Sequence, residues 1–299
     1  MVETYRPTDL AEAVVLRARA GALPFGGGTD LMVRYRYESG AVPDFGRPIL
    51  FLDRIEELGC VERSGDFLRI GGAGSLTQVL RHPDTPGLLR QAVRSIAAPA
   101  LRNSGTIAGN LCNASPAGDS VLALYALSAQ IELAGCDGGG QESIRERVVA
   151  VEDFITGPGQ TVLRDDELVS AILVPLEASA VSFFRKVGTR RANALTKVAI
   201  AGWASIEEGG SLGSREAVVE DIAVALGAVA PTVVRSREIE GRISGKSLGE
   251  IAERKEELID SYGPFIRPID DQRSTARYRR RVAMNLLWSF FEDHLLAGL

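Results

Sequence analysis

The stretch LPFGGGTDLMVRYR, residues 23–36, places three consecutive glycines between a short apolar run and a second hydrophobic segment. The pattern predicts a short strand over 22–25, a glycine loop, and a helix from about residue 29. Successive glycines ahead of a helix leave backbone N–H groups free to converge on an anion, and the helix N-terminus adds partial positive charge. Thr29 or Asp30 supplies the helix cap. The same residues also describe a tight strand-to-helix turn with no ligand. Because the spacing is not GxGxxG, it does not indicate a Rossmann dinucleotide site.

A second glycine-and-Asn stretch follows about eighty residues later, RNSGTIAGNLCNASPAGDS, residues 102–120. Gly105, Gly109 and Asn110 are residues that tolerate positive φ. Thr106 and Asn110 offer side-chain hydrogen bonds, and Asp119 is an acceptor suited to sugar or polyol hydroxyls. A long polar loop with caps is the bland alternative. Two backbone-donor loops with a polyol acceptor and no metal ligands point to a pyrophosphate-bridged dinucleotide. GRISGKS (241–247) looks like a phosphate-binding loop but has three residues between its glycines, where GxxxxGK[ST] needs four. Ser247 reads there as a helix cap.

The remaining composition narrows the chemistry. At 299 residues the chain accommodates two or three modest domains, and its 45% hydrophobic and 24% charged residues are those of a globular protein. A net charge of −5 and sparse aromatics argue against nucleic-acid or membrane-surface binding. No apolar run reaches membrane-spanning length, and the N-terminal MVETYRPTDL is not a secretory signal. Cys60, Cys112 and Cys136 form no CxxC pair, which fits a reduced, cytoplasmic compartment without a local iron–sulfur or zinc cassette. With His82 and His294 as the only histidines, a His triad or metal cage is not expected.

Along the chain, Asp9 and Glu12 have capping-box spacing ahead of a helix that Gly21 terminates. PILFLDRI is strand-like, DFLRIGGAGSLTQVLRHP reads strand, turn, helix, and GCDGGGQES (135–143) reads as a hairpin or loop. Repeated strand–glycine–helix units indicate an α/β or α+β architecture. A boundary falls in EASAV (177–181), after a strand ending at Pro175, dividing 1–176 from 177–299; the first part divides again into about 1–56 and 57–176. Beyond the boundary, VAIAGWASIEE and VVEDIAVALGAVAP are strands around a hairpin. Two helical segments follow, one opened by Ser247 and Glu250 in capping-box spacing, the other striped with Ala283, Leu286, Leu287, Phe290 and His294. RYRRR (277–281) reads as a solvated helix face, Cys112 as a small buried packing thiol, and Asp165, Asp166 and Glu167 as a surface acidic turn.

The sequence resembles the FAD-binding medium subunits of the molybdenum hydroxylases, the family of xanthine dehydrogenase, aldehyde oxidoreductase and aerobic carbon monoxide dehydrogenase. The resemblance runs nearly end to end, through YRPTDLAEAVVL, PFGGGTDLMV, LRIGGAG, RNSGTIAGNLCNASPAGDS, FITGPGQTVLRDDELVSAILVP, FRKVGTRRANALTKVAIA and IDDQRSTARYRRRVAMNLL. It implies an α+β fold: a two-subdomain FAD-binding region of the vanillyl-alcohol-oxidase type over 1–176, then a C-terminal domain of a small antiparallel sheet plus helices. It implies that Gly26, Gly27, Gly28, Thr29 and Asp30 hold the pyrophosphate through backbone amides, flanked by Phe25 and Leu31. Thr106, Gly109 and Asn110 would form the second loop, with Ala97 and Cys112 beside it. Asp119 would bind the ribityl chain, Leu168 and Val169 would pack near the adenine or flavin, and Lys186 would lie near the cofactor.

The implied function is electron transfer within a heterotrimer. A large subunit would carry the molybdenum cofactor, and a small subunit with two-iron two-sulfur clusters would relay electrons. The FAD of this chain would pass them to NAD or another acceptor. Where the family reads TxGGN this chain reads TIAGN, so Ala108 requires a negative φ. Absent histidine in either loop implies non-covalent FAD, and three dispersed cysteines exclude an inserted four-iron cluster. Two other readings stay open: a self-sufficient flavin oxidase, and a structural subunit that has lost FAD.

Overall fold

The computed structural model describes residues 2–137, 144–176, 179–190 and 193–299. The expected hairpin at 135–143 and the boundary segment 177–181 therefore lie partly outside the described residues. The chain divides into two units, one of residues 1–85, 97–113 and 128–176, the other of 86–96, 114–127 and 177–299.

The first unit opens with β1 (Thr4–Tyr5) and α1 (Leu10–Ala20). The Asp9 carboxylate accepts the Glu12 N–H, and Gly21 ends the helix in the left-handed region by donating to the Arg17 carbonyl. Glu12 closes the cap on the Thr8 N–H instead of that of Asp9. Next come β2 (Leu23–Phe25), α2 (Leu31–Arg34) and β3 (Ile49–Phe51). The expected helix from residue 29 is thus a single turn. These strands form a three-stranded parallel sheet in the order β1-β3-β2.

A five-stranded antiparallel sheet follows in the same unit. It is built from β4 (Val61–Ser64), β5 (Phe67–Gly71), β6 (Gln130–Cys136), β7 (Ile144–Ala150) and a later strand over Leu168–Pro175. With the hairpin β8 (Ile155–Gly157) and β9 (Gln160–Thr161) intervening, that last strand is β10. The order β4-β5-β10-β6-β7 sets β10 at the centre, and six of its eight residues are buried. Ala13, Val14, Leu50, Leu58 and Leu168 share one core, so α1 seals the parallel sheet to the start of β10.

In the second unit β11 (Val181–Val187), β12 (Val198–Ile206), β13 (Val219–Gly227) and β14 (Val234–Arg235) form an antiparallel sheet in sequence order. One helix over Ala276–Ser289, continued by a π-helical turn over Phe290–Leu295, packs on it. The wider π turn brings Phe290, Phe291 and Leu295 inward and leaves His294 half-buried, which shifts the expected stripe. A Cβ on Gly202 would come within 2.7 Å of the Phe290 ring, so the ring seats on bare backbone. The helices over Gly87–Ser95 and Asp119–Ala126 precede residue 177 yet belong to this unit, because their apolar faces pack on β11, β12 and β13. Ser247 and Glu250 make both halves of their capping box. Arg279 is buried, donating to the Ala228 carbonyl at 3.0 Å and to Asp271 at 2.6 Å, so RYRRR is not uniformly solvated.

Candidate functional site

In the first unit, β2 delivers the chain directly into Gly26–Asp30. Gly28 has φ +67, and the Phe25 ring packs beneath it so closely that a Cβ would lie 2.1 Å from the ring. The loop doubles back over its own strand, which only glycine permits. At Gly27 a Cβ would lie 1.8 Å from the Ser104 carbonyl oxygen, so the first glycine loop and the second stretch meet backbone to backbone. Among the described residues, no hydrogen-bond partner takes the N–H groups of Gly27, Gly28, Thr29 or Asp30. Asp30 occupies the N-cap position of α2, but its side chain makes no cap hydrogen bond. Leu31 begins that turn and is half-buried.

The second stretch is more helical than its glycines suggest. Thr106 is the N-cap of a helix over Ile107–Cys112, its hydroxyl accepting the Gly109 N–H at 3.0 Å. Gly105 has φ −63, and Gly109 and Asn110 are helical, so none of the three uses positive φ. Ala108 is buried within the same helix with negative φ, which answers the demand that TIAGN placed on it. An isolated bridge between Ser75 and Thr106, with the Leu76 N–H on the Gly105 carbonyl at 2.8 Å, fixes the stretch to its own unit. Positive φ occurs instead at Ala97, φ +46, where the Arg102 side chain holds the carbonyl at 2.9 Å. Non-glycine residues in that region store local strain.

Cys112 is exposed, so the reading of it as a buried packing thiol is wrong. The helix it ends packs on β10, where a bulge shifts register between Val169 and Ala171. Leu168 is 2% exposed and belongs to the core, and Val169 is also buried, so their side chains serve packing first. Glu167 corrects another expectation. Far from lying on a surface turn, it is 1% exposed and receives two hydrogen bonds from Arg147, at 2.8 and 2.7 Å, and the Arg164 N–H at 2.9 Å. Burial alone would push its carboxyl up; the Arg147 hydrogen bond, the Arg164 amide and the charges of Arg147 and Arg145 outweigh this and hold it at about 2.

The second unit carries its own cluster. Asp119 is the first residue of its helix, 6% exposed, favourably placed for an anion near the positive end of the backbone dipoles. Its Oδ2 lies 2.5 Å from Lys186 Nζ and accepts the Ser95 hydroxyl at 3.2 Å, while Oδ1 accepts the Thr196 hydroxyl at 2.7 Å. Asp119 and Lys186, 67 positions apart in sequence, are thus brought together. Sequence reading missed Thr196 and Ser95, which carry no motif of their own; a buried Asp needing partners was the available signal.

The donor set fits the group the sequence implied. In the first unit, four successive unpartnered amides suit an anionic pyrophosphate.

The family model described as FAD binding domain in molybdopterin dehydrogenase matches residues 1–177, and that of the CO dehydrogenase flavoprotein C-terminal domain matches residues 183–294. The chain is 31% identical to the glyceraldehyde dehydrogenase medium chain of Sulfolobus acidocaldarius, over 96% of both. It is 27% identical to the carbon monoxide dehydrogenase medium chain of Hydrogenophaga pseudoflava, over 94% of this chain and 92% of that one. Among solved structures, a chain of carbon monoxide dehydrogenase from Hydrogenophaga pseudoflava superposes with a TM-score of 0.80 at 25% identity, covering 96% of this chain and 94% of the other. A chain of quinoline 2-oxidoreductase from Pseudomonas putida 86 gives 0.81 at 19% identity, over 100% and 99%, and bears on the fold alone. With two family models in tandem and relatives matched nearly end to end, the chain belongs to the family of FAD-binding medium subunits of the molybdenum hydroxylases.

Proposed function

We propose that this oxidoreductase subunit binds FAD without a covalent link and carries electrons between iron–sulfur clusters in a small partner subunit and a terminal acceptor such as NAD. A large subunit with the molybdenum cofactor is the site of substrate oxidation. The observation that carries the reading is the run of unpartnered amides at Gly27, Gly28, Thr29 and Asp30, in a loop locked onto Ser104–Gly105. Bound FAD supplies a two-electron carrier that also exchanges electrons singly.

The chain's own groups bind and orient. In the first unit, the glycine-loop amides would hold the phosphates, with Thr106 capping the helix of the second stretch beside them. Gly26, Gly109 and Asn110 belong to the same two stretches, with Phe25, Leu31 and Ala97 shaping them. In the second unit, Lys186, Thr196 and Ser95 hold the Asp119 carboxylate, which would also accept from a polyol hydroxyl. No described helix is long and apolar enough to cross a membrane, and three free cysteines favour a cytoplasmic site of action. A boundary near residue 177 separates the FAD-binding region from the C-terminal domain, the reading that the two family matches support.

The test is an absorption spectrum of the purified chain, repeated on the supernatant after acid precipitation with chromatographic identification of what is released. Flavin bands with free FAD in the supernatant are expected. A colourless chain that takes up no added FAD refutes the proposal, and flavin retained in the pellet refutes its non-covalent form.

A further inference from the structure

The second unit carries an exposed groove for which cofactor binding has no use. It lies between the helices over Lys255–Asp260 and Ala276–Ser289, which pack against each other. Glu256, Ile259 and Asp260 line it from the first helix, and Met284, Asn285 and Trp288 from the second, around a cavity of about 250 Å³. Pockets for free small ligands run to about 300–1,000 Å³, so this volume suits a single large side chain. Ile259 is 3% exposed and belongs to the core, and Met284 packs against that core, whereas Trp288 is 41% exposed. Glu256 and Asp260 are four positions apart, as are Met284 and Trp288, so each helix turns one stripe toward the groove.

The other charges along this segment are paired. Glu253 meets Arg215 at 2.9 Å, and Glu257 accepts from Arg242 and, at 3.0 Å, from Arg254. Lys255 pairs with Glu292 and sets its Nζ 4.1 Å from the centroid of the Trp288 ring. Glu256 and Asp260 are exposed, and among the described residues no cation forms an ion pair with either. The groove thus joins an apolar floor, an indole that already attracts one ammonium, and two uncompensated carboxylates on one rim. An arginine or lysine side chain satisfies all three: its methylenes cover apolar surface while its head stays with the charges, and the indole adds attraction for the cation. Trp and Met beside a charged rim are also what protein interfaces favour at their centre.

We propose that this groove docks an arginine- or lysine-bearing segment of a partner subunit, the cationic head seated between Glu256 and Asp260 and the stem along Met284 and Trp288. The inference rests on the reading of this chain as a subunit of a larger complex and assigns one contact face to it.

The experiment co-expresses the full-length chain with the iron–sulfur and molybdenum subunits and follows dissociation of the purified complex on dilution by mass photometry, at low and at high salt. Glu256→Gln combined with Asp260→Asn changes two exposed side chains. It is expected to weaken assembly by about tenfold or more and to flatten the salt dependence, with FAD content and unfolding midpoint as in wild type. Trp288→Ala is expected to weaken assembly by about thirtyfold, with unfolding measured alongside because Lys255 also loses its ring. Wild-type assembly and salt dependence in the double variant overturn the proposal. So does self-association of the wild-type chain alone that the double variant abolishes, because the occupant is then a second copy. A wild-type chain that assembles with neither subunit refutes the underlying reading instead.

Discussion

The glycine triplet yields a prediction in which neighbouring residues behave differently. A Cβ at Gly27 would lie 1.8 Å from the Ser104 oxygen, 2.5 Å from its carbonyl carbon and 2.9 Å from the Gly105 Cα. Those atoms are backbone and cannot rotate away, so Gly27→Ala must part the two stretches until the closest contact exceeds 3.0 Å, a displacement of more than 1.2 Å. At Gly26 the same methyl would meet only the Thr106 side chain, at 3.4 and 3.5 Å. Overpacking of this kind costs about 1–3 kcal/mol. Gly27→Ala should therefore lower the apo chain's unfolding free energy by about that amount, whereas Gly26→Ala leaves it within about 0.5 kcal/mol. Because the amides shift by more than an ångström from their ligand positions, FAD affinity in Gly27→Ala should fall about a hundredfold. Denaturant unfolding monitored by circular dichroism reads the first effect, and fluorescence titration of the deflavinated chain reads the second. A Gly27→Ala chain with wild-type stability and FAD affinity would refute the proposed contact between the two stretches.

Other outcomes follow from the same contacts. Lys186→Met should destabilise the second unit by about 3–5 kcal/mol, because it strands the buried Asp119 charge. Lys186→Met combined with Asp119→Asn should recover part of that loss in the same unfolding assay, whereas additive losses would show that the pair is not coupled. Glu167 is held at about 2 in the folded chain, against 4.5 for an ordinary glutamate. Its stabilising contribution is therefore present above about pH 4.5 and is lost as pH falls toward 2. The wild type should lose more stability than Glu167→Gln between pH 5 and pH 2, and parallel melting profiles would contradict this. Ser247→Ala breaks a complete capping box and should cost about 1 kcal/mol in chemical denaturation, with no effect on FAD binding.

Much of this protein was legible in its residues because the signals were local. The α1 cap, the Ser247–Glu250 box, the strands either side of the 207–216 hairpin and the two glycine stretches depend on spacing, and spacing is visible in a sequence. The helical geometry of TIAGN was not: Gly109 and Asn110 have the composition of a loop, but the Thr106 cap commits them to a helix, and the bridge to Ser75 fixes the extended residue before it. Glu167 and Arg279 were misread for one reason. Charged residues in runs look solvated, and only the fold supplies the partners that make burial affordable: Arg147 for Glu167, Asp271 and the Ala228 carbonyl for Arg279.

The sequence by itself determined the class of fold, the family and the two glycine stretches, since each is a pattern of neighbours along one chain. The tertiary structure decided which backbone meets Gly27, which side chains hold Asp119, and that Arg17 is buried against the Glu167 and Ala22 carbonyls. Those are relations between residues up to 150 positions apart, set by the packing of α1 on β3 and β6 and of the Asp119 helix on the second sheet. Burial and pairing depend on what the rest of the chain brings alongside, and no local pattern encodes them.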